Sequence, residues 1–451
     1  MYPPPRKLAW DIIHRVDREK SYADILLDQV LKKPALKEED RAFVTELVYG
    51  TLRWRGYLDY ALSKFSSKPI NKVDPEILNI LRMGAYQLLF LRTPSSAAVD
   101  ESVKLSKNFN SGKASGFVNA VLRALDREKE KIELPSRKED ELNYFSIKYS
   151  HPKWLVNLFV KIFGPQEAEK LLEANNHQAP LTLRVNTLKT DREKLSKMLL
   201  EEDGIETSPT PYSPDGLIVT NQVVAKNLSA INQGLCIVQD ESAQIVSRIL
   251  SPRPYDTVLD VCSAPGGKAS HLSALMENKG AVHAVDINAN RLQLVEDNAR
   301  RLGVKIIQTK RGDASAPLKY ERSSFDAVLV DPPCSDLGII RRHPDVKWTK
   351  TPDQLGELAE LQLKILTVAG KYVKQGGTLV YAVCTLNPRE NEQVIQKFIE
   401  TNPYFKIEPA DDYLPAIKQF STPEGFVKLA PHTSGTDGFF IARLKKNHSR
   451  S

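Results

Sequence analysis

Hydrophobic residues in the first third of the chain recur every three or four positions. Two examples of this spacing are Leu8, Ile12, Ile13 and Val16, and then Val118, Val121, Leu122 and Leu125. Such spacing gathers apolar side chains on one face of a helix. The pattern predicts an all-α bundle over residues 6–127, followed by a charged, turn-prone linker at 127–141. Periodicity alone does not indicate what this bundle does.

The next region, residues 142–250, alternates between strand-like and helix-like patterns. Strands are predicted at 181–186, 216–220 and 234–239, and an amphipathic helix at 190–202. Cys236 lies in the third of these strands and is expected to be a core residue. Arg184 and Asn186 lie in the first strand, where they could contact a phosphate and a base, although composition alone favours solvated surface positions.

From Asp256 onward, short apolar runs alternate with helical segments, as is typical of a doubly wound α/β sheet. The first run, Thr257–Val261, leads into a tight loop with two adjacent glycines, Gly266 and Gly267. Such a loop lets a ligand approach the backbone closely at a helix N-terminus. The spacing is not Gly-x-Gly-x-x-Gly, so a nicotinamide cofactor is disfavoured.

Three carboxylates follow predicted strands in this region. Asp286 ends the run 280–285, Asp313 follows the run 305–309, and Asp331 follows the run Phe325–Val330. An acid at the end of the second strand is well placed for ribose hydroxyls. Three acids in series around a glycine loop favour an adenosine-type ligand.

Two further turns contain cysteines, at residues 331–335 and 381–385. Each follows a strand-like run, and the segment 353–374 between them is predicted to be a crossover helix. A strand–helix–strand order makes the two strands parallel neighbours, so Cys334 and Cys384 should emerge at the same carboxyl edge. Two thiols at one edge indicate covalent chemistry.

Composition narrows the class of protein. The chain has 451 residues, 41% of them hydrophobic and 26% charged, which fits a globular protein with two or three domains. There is no run of about eighteen apolar residues and no signal core, so we expect a cytoplasmic protein without membrane association.

The cysteines and histidines give no metal-binding pattern. The four cysteines form no Cys-x-x-Cys pair, which argues against a zinc site, and a reducing compartment argues against disulfides. Cys262, in the glycine loop, is interpreted on its own as a structural thiol. No metal is therefore expected.

The positive charge is concentrated near the N-terminus. The net charge is +7, and residues 1–150 contain 26 basic and 21 acidic side chains. This distribution fits polyanion binding, but a solvated charged face would look the same.

Three short sequence motifs in the N-terminal region match those of a known family. The motifs are Val48–Arg53, Ala97–Val103 and Gly116–Arg123. They resemble the NusB antitermination-factor family, whose fold is an RNA-binding helical bundle. The resemblance spans nearly the whole N-terminal region.

Sequence motifs in the C-terminal region resemble those of S-adenosylmethionine-dependent RNA cytosine-C5 methyltransferases of the NOL/NOP/Sun group. The residues that carry this resemblance are Asp260–Lys268, Asp286, Asp313, Asp331–Ser335 and Tyr381–Thr385, flanked by Gln239–Gln244 and Asp437–Ala442. A NusB-like bundle in front narrows the match to the bacterial branch that methylates a cytosine of 16S ribosomal RNA. Three positions depart from the usual pattern: Pro333 replaces alanine, Asp336 begins a tail that commonly starts with glycine, and Val383 often is threonine.

The resemblance implies a fold and a division into domains. It implies a NusB-like RNA-binding bundle at 1–135, a small α/β RNA-binding subdomain at 142–240 and a Rossmann-like methyltransferase domain at 241–446. It further implies that 16S rRNA is the partner and that S-adenosylmethionine is the methyl donor. We expect a monomer.

The resemblance also assigns roles to residues. Cys384 is the expected nucleophile, and Cys334 assists product release as a base. On chemical grounds, Asp331 is our candidate for the carboxylic group that stabilises charge near ring N3. The residues expected to bind the methyl donor are Cys262, Ser263, Ala264, Pro265, Gly266, Gly267, Lys268, Asp286, Asp313 and Asp331.

Several alternatives stay open at this point. Asp331-Pro332-Pro333 is similar to the motif of amino methyltransferases, although Cys334 stands where an aromatic residue is expected. A DNA cytosine methyltransferase would use Cys334 as nucleophile, and a non-catalytic RNA-binding assembly factor would use the bundle alone. Basic and aromatic residues after the first cysteine either hold flanking RNA or form a solvated loop, with equal weight; they are Arg341, Arg342, His343, Lys347 and Trp348.

Overall fold

The computed structural model describes residues 4–32, 36–109, 112–221 and 228–447. They form two compact units. The first comprises residues 1–177 together with 340–351, and the second comprises 178–339 together with 352–451. No helix in the described ranges is long and apolar enough to cross a membrane.

The first unit is helical, as the periodicity predicts. Its helices are α1 (Pro5–Glu19), α2 (Ala23–Leu31), α3 (Glu38–Ser63), α4 (Pro75–Phe90), α5 (Ser95–Ser106), α6 (Ser115–Glu128), α7 (Glu141–Lys148) and α8 (Lys153–Ala174). A short helix from the later insertion, Val346–Thr349, completes the unit. The apolar faces of α1 to α6 share one core. Within it Gly50 allows close helix packing, because a Cβ there would lie 2.0 Å from the Tyr86 ring.

The second unit begins with a small antiparallel sheet. Its strands are β1 (Thr182–Val185), β2 (Thr207–Pro209), β3 (Gly216–Val219) and β4 (Cys236–Val238), in the order β2-β3-β1-β4. The helices α9 (Arg192–Asp203) and α10 (Ser229–Asn232) accompany it. Cys236 is fully buried, so its predicted core position is confirmed.

A large sheet forms the rest of the second unit. Its strands are β5 (Thr257–Val261), β6 (Ala281–Asp286), β7 (Ile307–Arg311), β8 (Phe325–Val330), β9 (Val373–Val383), β10 (Phe405–Glu408), β11 (Val427–Leu429) and β12 (Phe439–Lys446). The order is β10-β12-β9-β8-β5-β6-β7, with β11 beside β12. The strands from β9 to β7 are parallel, whereas β10, β11 and β12 pair antiparallel at one side.

The helices in this part of the chain are α11 (Glu241–Leu250), α12 (Gly267–Leu275), α13 (Ala289–Leu302), α14 (Val346–Thr349, in the first unit), α15 (Pro352–Gly370), α16 (Glu392–Thr401) and α17 (Pro431–Ser434). Of these, α12, α13 and α15 connect parallel strands of the large sheet. The predicted succession of a helical region, a small mixed region and a largely parallel sheet is confirmed.

The strand β8 pairs in parallel with β9, which confirms the arrangement predicted for the two cysteine turns. The predicted crossover helix ends at Gly370 rather than 374, because Val373 already pairs with Phe325. Both cysteines therefore follow neighbouring strands at the carboxyl edge of the sheet.

Candidate active site

The predicted donor-binding segment, residues 262–268, spans the loop between β5 and α12 and the first two residues of α12. Gly266 has a φ of 93°, and a Cβ there would lie 3.0 Å from Val295. Any larger residue would be strained and would crowd its neighbour. Since α12 begins at Gly267, its first N–H groups lie at the end of this loop. This arrangement suits a polar or anionic part of a ligand.

Arg184, on β1, fixes the same loop. It is 2% exposed, and its Nη2 donates to Ser270 Oγ at 2.9 Å while Nη1 donates to the Gly267 carbonyl oxygen and Gln239 Oε1. Burial lowers the pKa of Arg184 to about 9. The surface interpretation was wrong for this residue and for Asn186, which is also buried. Arg184 was not among the residues predicted to bind the methyl donor, yet it positions the donor-binding loop.

Asp286 ends β6 and faces the glycine loop. Its Oδ2 accepts a hydrogen bond from Ala264 N at 3.3 Å and its Oδ1 accepts one from Asn288 N at 2.9 Å. Beside it an open cavity of about 380 Å³ is lined by residues 287–290 and Arg311. Ile287 is 62% exposed there. A carboxylate next to exposed apolar surface at a strand end fits a nucleoside.

Asp313 lies beyond the end of β7 and is exposed. Hydrogen bonds from the side chain and backbone of Ser315 lower the pKa of Asp313, with Ser315 N at 2.9 Å. Its carboxylate is therefore an ionised acceptor that faces solvent. The predicted contact with a purine edge stays a prediction.

Asp260, within β5, is a buried carboxylate that the sequence prediction did not assign a separate role. It is 1% exposed, and Ser263 Oγ donates to its Oδ2 at 2.7 Å. Burial is the main cause that raises the pKa of Asp260 to about 7, and the charges of Asp331 and Asp286 add to it. Asp260 thus holds a proton to higher pH than an ordinary carboxylic acid.

The two cysteines meet directly. The Sγ atoms of Cys334 and Cys384 are 3.0 Å apart. Asp336 Oδ1 lies 3.2 Å from Cys384 Sγ and 3.4 Å from Cys334 Sγ. These three atoms lie within 4.8 Å of one another. The predicted convergence of the two thiols is confirmed, whereas the carboxylate between them was not predicted.

The surroundings keep both thiols protonated. The hydrogen bond to Cys384 lowers the pKa of Cys334, but burial and the charges of Asp336 and Glu390 outweigh it and raise that pKa to about 11. The pKa of Cys384 is raised well above its ordinary value by the hydrogen bond with Cys334, by burial and by the charges of Asp336 and Asp331. A nucleophile in this site needs a proton acceptor.

Lys268 and Asp331 form an ion pair next to the thiols. Lys268 Nζ is 2.6 Å from Asp331 Oδ2. Burial lowers the pKa of Lys268, but the charge of Asp331 and the hydrogen bond to it outweigh burial, and the net pKa is raised. Cys384 contributes to this rise, so the ammonium lies within electrostatic range of its sulfur. Binding of the methyl donor by Lys268 stays a prediction.

Glu390 connects the two cysteine turns and was missed by the sequence prediction. Its side chain is fully buried. Its carboxylate accepts hydrogen bonds from residues of both turns and from α15. The donors are Ser335 N at 2.9 Å, Ser335 Oγ at 2.5 Å, Gln362 Nε2 at 2.9 Å, Asn387 Nδ2 at 3.0 Å and Thr385 Oγ1 at 3.4 Å. A single carboxylate therefore links the turn that contains Cys334 to the turn that contains Cys384.

The basic residues after the first cysteine do not form a solvated loop. Residues 340–351 belong to the helical unit, and Lys347 is fully buried there. Its Nζ donates to Arg53 O at 2.7 Å, Ser150 O at 2.8 Å and Asn176 Oδ1 at 3.2 Å. Burial lowers the pKa of Lys347 well below its ordinary value.

Two neighbours of Lys347 are also engaged in the helical unit. Trp348 Nε1 donates to Leu52 O at 2.6 Å, and Arg341 is 7% exposed. Buried side chains cannot hold flanking RNA, so for Lys347 both earlier interpretations were wrong.

Comparisons with known proteins match most of the chain. Residues 247–445 match the family described as 16S rRNA methyltransferase RsmB/F, residues 3–127 match the NusB family, and residues 151–226 match an RsmF/B-like ferredoxin-like domain. The probable ribosomal RNA small subunit methyltransferase B of Bacillus subtilis is 38% identical, with 98% of each chain covered.

Two solved structures are also similar. The crystal structure of PH0851 has a TM-score of 0.81 and 30% identity, covering 99% of this chain and 100% of that one. The structure of NSun6 from Pyrococcus horikoshii with SFG has a TM-score of 0.60 and 26% identity, covering 66% of this chain and 99% of that one.

Proposed function

The chain belongs to the 16S rRNA methyltransferase RsmB/F family, S-adenosylmethionine-dependent enzymes of the small ribosomal subunit, and we propose that it methylates carbon 5 of a cytosine through a covalent intermediate. The single observation that carries this proposal is the 3.0 Å separation of the Cys334 and Cys384 sulfurs at the sheet edge that also holds the glycine loop. Amino methyl transfer would need no such pair of thiols.

Cytosine chemistry explains the need for a thiol. Carbon 5 is too electron-poor to attack a methyl sulfonium. When Cys384 adds to carbon 6, the ring becomes an enamine and carbon 5 becomes nucleophilic. S-adenosylmethionine, when bound, supplies the methyl group that carbon 5 takes up. Cys334 lies against the same sulfur and assists the loss of the carbon 5 proton and the departure of Cys384.

The residues at the glycine loop fit a methyl donor. The backbone at Gly266 and Gly267 approaches a ligand closely, and Asp286 lies where a ribose is bound in sheets of this type. Exposed Ile287 offers an apolar surface for a base. These residues would hold the donor, while the ion pair with Lys268 holds Asp331 next to the cysteines.

Asp331 is the group that we assign to the substrate ring. Its carboxylate forms an ion pair with Lys268 of the donor loop. Its charge also contributes to the raised pKa of Cys384, which places it near the thiols. From there its carboxylate can accept a hydrogen bond from the exocyclic amine of cytosine or from protonated N3. Either contact stabilises charge in the ring during addition of the thiol.

We assign RNA binding to the helical and small mixed domains, 1–135 and 142–240, ahead of the methyltransferase domain at 241–446. The charge excess of residues 1–150, with 26 basic and 21 acidic side chains, supports contacts to phosphates. The target cytosine must also leave its stack, at a cost of a few kcal/mol in a duplex.

One experiment tests the proposal. The protein is incubated with labelled S-adenosylmethionine and ribosomal RNA from cells that lack the modification, and the RNA is digested to nucleosides. We expect 5-methylcytidine. An N-methylated base, or no labelled nucleoside, would contradict the proposal and favour an amino methyltransferase or a non-catalytic RNA-binding factor.

Cysteine variants separate the roles of the two thiols. Cys384→Ala should abolish methyl transfer, whereas Cys334→Ala should accumulate a covalent protein–RNA adduct on a denaturing gel. Cys236→Ala is the matched control, because this thiol is buried in the core of the small sheet. If the Cys384→Ala variant forms the covalent adduct instead, through Cys334, the assignment of the nucleophile is wrong.

A further inference from the structure

The resting state of the nucleophile poses a chemical problem. Both thiols are protonated near neutral pH, because burial and nearby negative charge raise their pKa values. The groups that face Cys384 are Cys334, Asp336, Asp331 and, through its charge, Lys268. Lys268 is a cation already paired with Asp331. Thiol addition therefore requires a base within reach of the Cys384 proton.

Asp336 has the geometry of that base. Its Oδ1 is 3.2 Å from Cys384 Sγ, close enough to accept the thiol proton directly. The same oxygen is 3.4 Å from Cys334 Sγ. Asp331 instead has one oxygen engaged with the Lys268 ammonium, and Glu390 contacts Ser335 and Thr385 rather than a sulfur.

The backbone at Asp336 is unusual. Its φ is 61°, in the left-handed region that favours glycine. An aspartate in this conformation is strained relative to glycine. This chain therefore places a carboxylate beside both sulfurs at a position where the backbone favours a residue without a side chain. Strained residues of this type concentrate at functional sites.

We propose that Asp336 is a catalytic residue, the proton acceptor for Cys384 during addition to cytosine, an inference that rests on the proposed function. The sulfur lone pair forms the S–C6 bond while the thiol proton moves to Asp336 Oδ1. The C5–C6 π pair becomes a C4–C5 π bond, and the C4–N3 π pair moves to N3. Carbon 5 then takes the methyl group of the donor, the S–CH3 bond breaks with its electron pair left on the donor sulfur, and the C4–N3 double bond is restored. At release the C5–H electrons restore the C5–C6 double bond. The S–C6 pair returns to sulfur, which takes back the proton from Asp336. Cys334, which is itself a neutral thiol, accepts the carbon 5 proton as its own proton passes to solvent.

A carboxylate is strong enough for this step. A neutral thiol is a weak acid, but its proton becomes strongly acidic as sulfur donates electrons to carbon 6. Proton transfer therefore coincides with bond formation, as is usual in general base catalysis. The negative charge of Asp336 has a second effect, because it raises the pKa of Cys384. Removing this charge should therefore make the Cys384 thiol easier to ionise. It should nevertheless slow the addition of Cys384 to cytosine, because the proton acceptor is lost.

These opposite effects define the test. Asp336→Asn keeps the shape and tolerates the left-handed backbone, and Asp336→Gly removes the side chain and its strain. Both variants should therefore fold. Asp412→Asn is the matched control, because Asp412 is an exposed carboxylate in a short turn of the second unit.

The first measurement isolates the addition step and needs no methyl donor. Reversible addition makes carbon 5 of cytosine protonatable, so tritium at that position of the RNA is released to water. We expect both variants to release tritium about 100-fold more slowly than wild type, the usual loss when a general base is removed. Their rates should rise steeply with pH, because hydroxide then has to ionise the thiol.

The second measurement is alkylation of Cys384 by iodoacetamide, followed by peptide mass spectrometry, in the absence of RNA. We expect Cys384 to react at least as fast in both variants as in wild type, because a negative neighbour has been removed. Slow tritium release together with undiminished alkylation is the result that supports the proposal.

Two results would overturn it. Tritium release within about twofold of wild type in both variants would show that Asp336 is not the acceptor of the Cys384 proton during addition. A parallel loss of release and alkylation would show that Asp336 only keeps the thiols in position. In either case wild type still forms 5-methylcytidine, whereas absence of 5-methylcytidine from wild type would refute the proposed function itself.

Discussion

Lys268 Nζ lies 2.6 Å from Asp331 Oδ2, and this ion pair joins the glycine loop after β5 to the cysteine turn after β8. The two side chains are 14% and 27% exposed. A pair this enclosed is costly to break, because the remaining charge is left without compensation. It therefore fixes the distance between the loop that we assign to the methyl donor and the thiols that we assign to cytosine.

The first prediction concerns this pair. Lys268→Met should lower the free energy of unfolding by about 3 kcal/mol and abolish methyl transfer. Lys374→Met is the matched control, since the Lys374–Asp326 pair is 41% and 32% exposed and should contribute about 0.5 kcal/mol. Urea titration followed by circular dichroism measures both. Equal losses in the two variants would contradict the structural role of Lys268.

Tryptophan fluorescence provides an internal check on that experiment. The four tryptophans are at positions 10, 54, 154 and 348, all of them in the first unit. Their emission therefore reports on the helical unit alone. Neither substitution should shift the fluorescence transition if the two units unfold independently.

The second prediction concerns Glu390. Glu390→Gln should slow methyl transfer at least tenfold, because an amide nitrogen cannot accept the hydrogen bonds that a carboxylate takes from both cysteine turns. The free energy of unfolding should fall by about 2 kcal/mol. Glu392→Gln, two residues on and partly exposed in its ion pair with Lys428, should affect transfer little. Single-turnover kinetics distinguish them.

The third prediction concerns Arg184. Arg184→Lys should weaken S-adenosylmethionine binding about tenfold, because an ammonium cannot reproduce the planar contacts to Ser270, Gly267 and Gln239 that hold the loop. Arg192→Lys, on the neighbouring α9, serves as the control. Calorimetric titration with the donor measures affinity. Unchanged affinity in Arg184→Lys would show that the loop keeps its shape without the guanidinium.

The fourth prediction is a pH dependence of stability that originates at Asp260. Burial raises the pKa of this group to about 7 in the folded state, against roughly 3.9 in the unfolded chain. Between these values the folded state binds more protons than the unfolded state, so the free energy of unfolding falls as pH rises. The full effect is about 4 kcal/mol at most.

Asp260→Asn removes this titration and should flatten the decline of stability from pH 4 to pH 7. Denaturant titrations at several pH values measure the slope. Asp353→Asn, at an exposed carboxylate in the first turn of α15, should leave the slope unchanged. A slope in Asp260→Asn as steep as in wild type would mean that another group is responsible.

The sequence by itself determined the fold class and the meeting of the two thiols. Helical spacing in the first third and alternation of strands and helices after Asp256 are local patterns, and each is dictated by which side chains one element must bury. A strand–helix–strand unit leaves little choice of topology. Cys334 and Cys384 were therefore predictable as neighbours, although 50 positions separate them.

Only the tertiary structure decided what surrounds those thiols. All four residues of β1 are buried, so Arg184 lies inside the protein, although an alternating strand would have placed it in solvent. Lys347 is enclosed by carbonyl oxygens of three distant segments.

Glu390 reaches Ser335 across 55 positions of sequence, and Asp336 touches both sulfurs only because two loops converge on it. Local periodicity specifies the face that an element buries. It does not specify which other element packs against that face. The burial, hydrogen-bond partners and pKa of a side chain all depend on that second element.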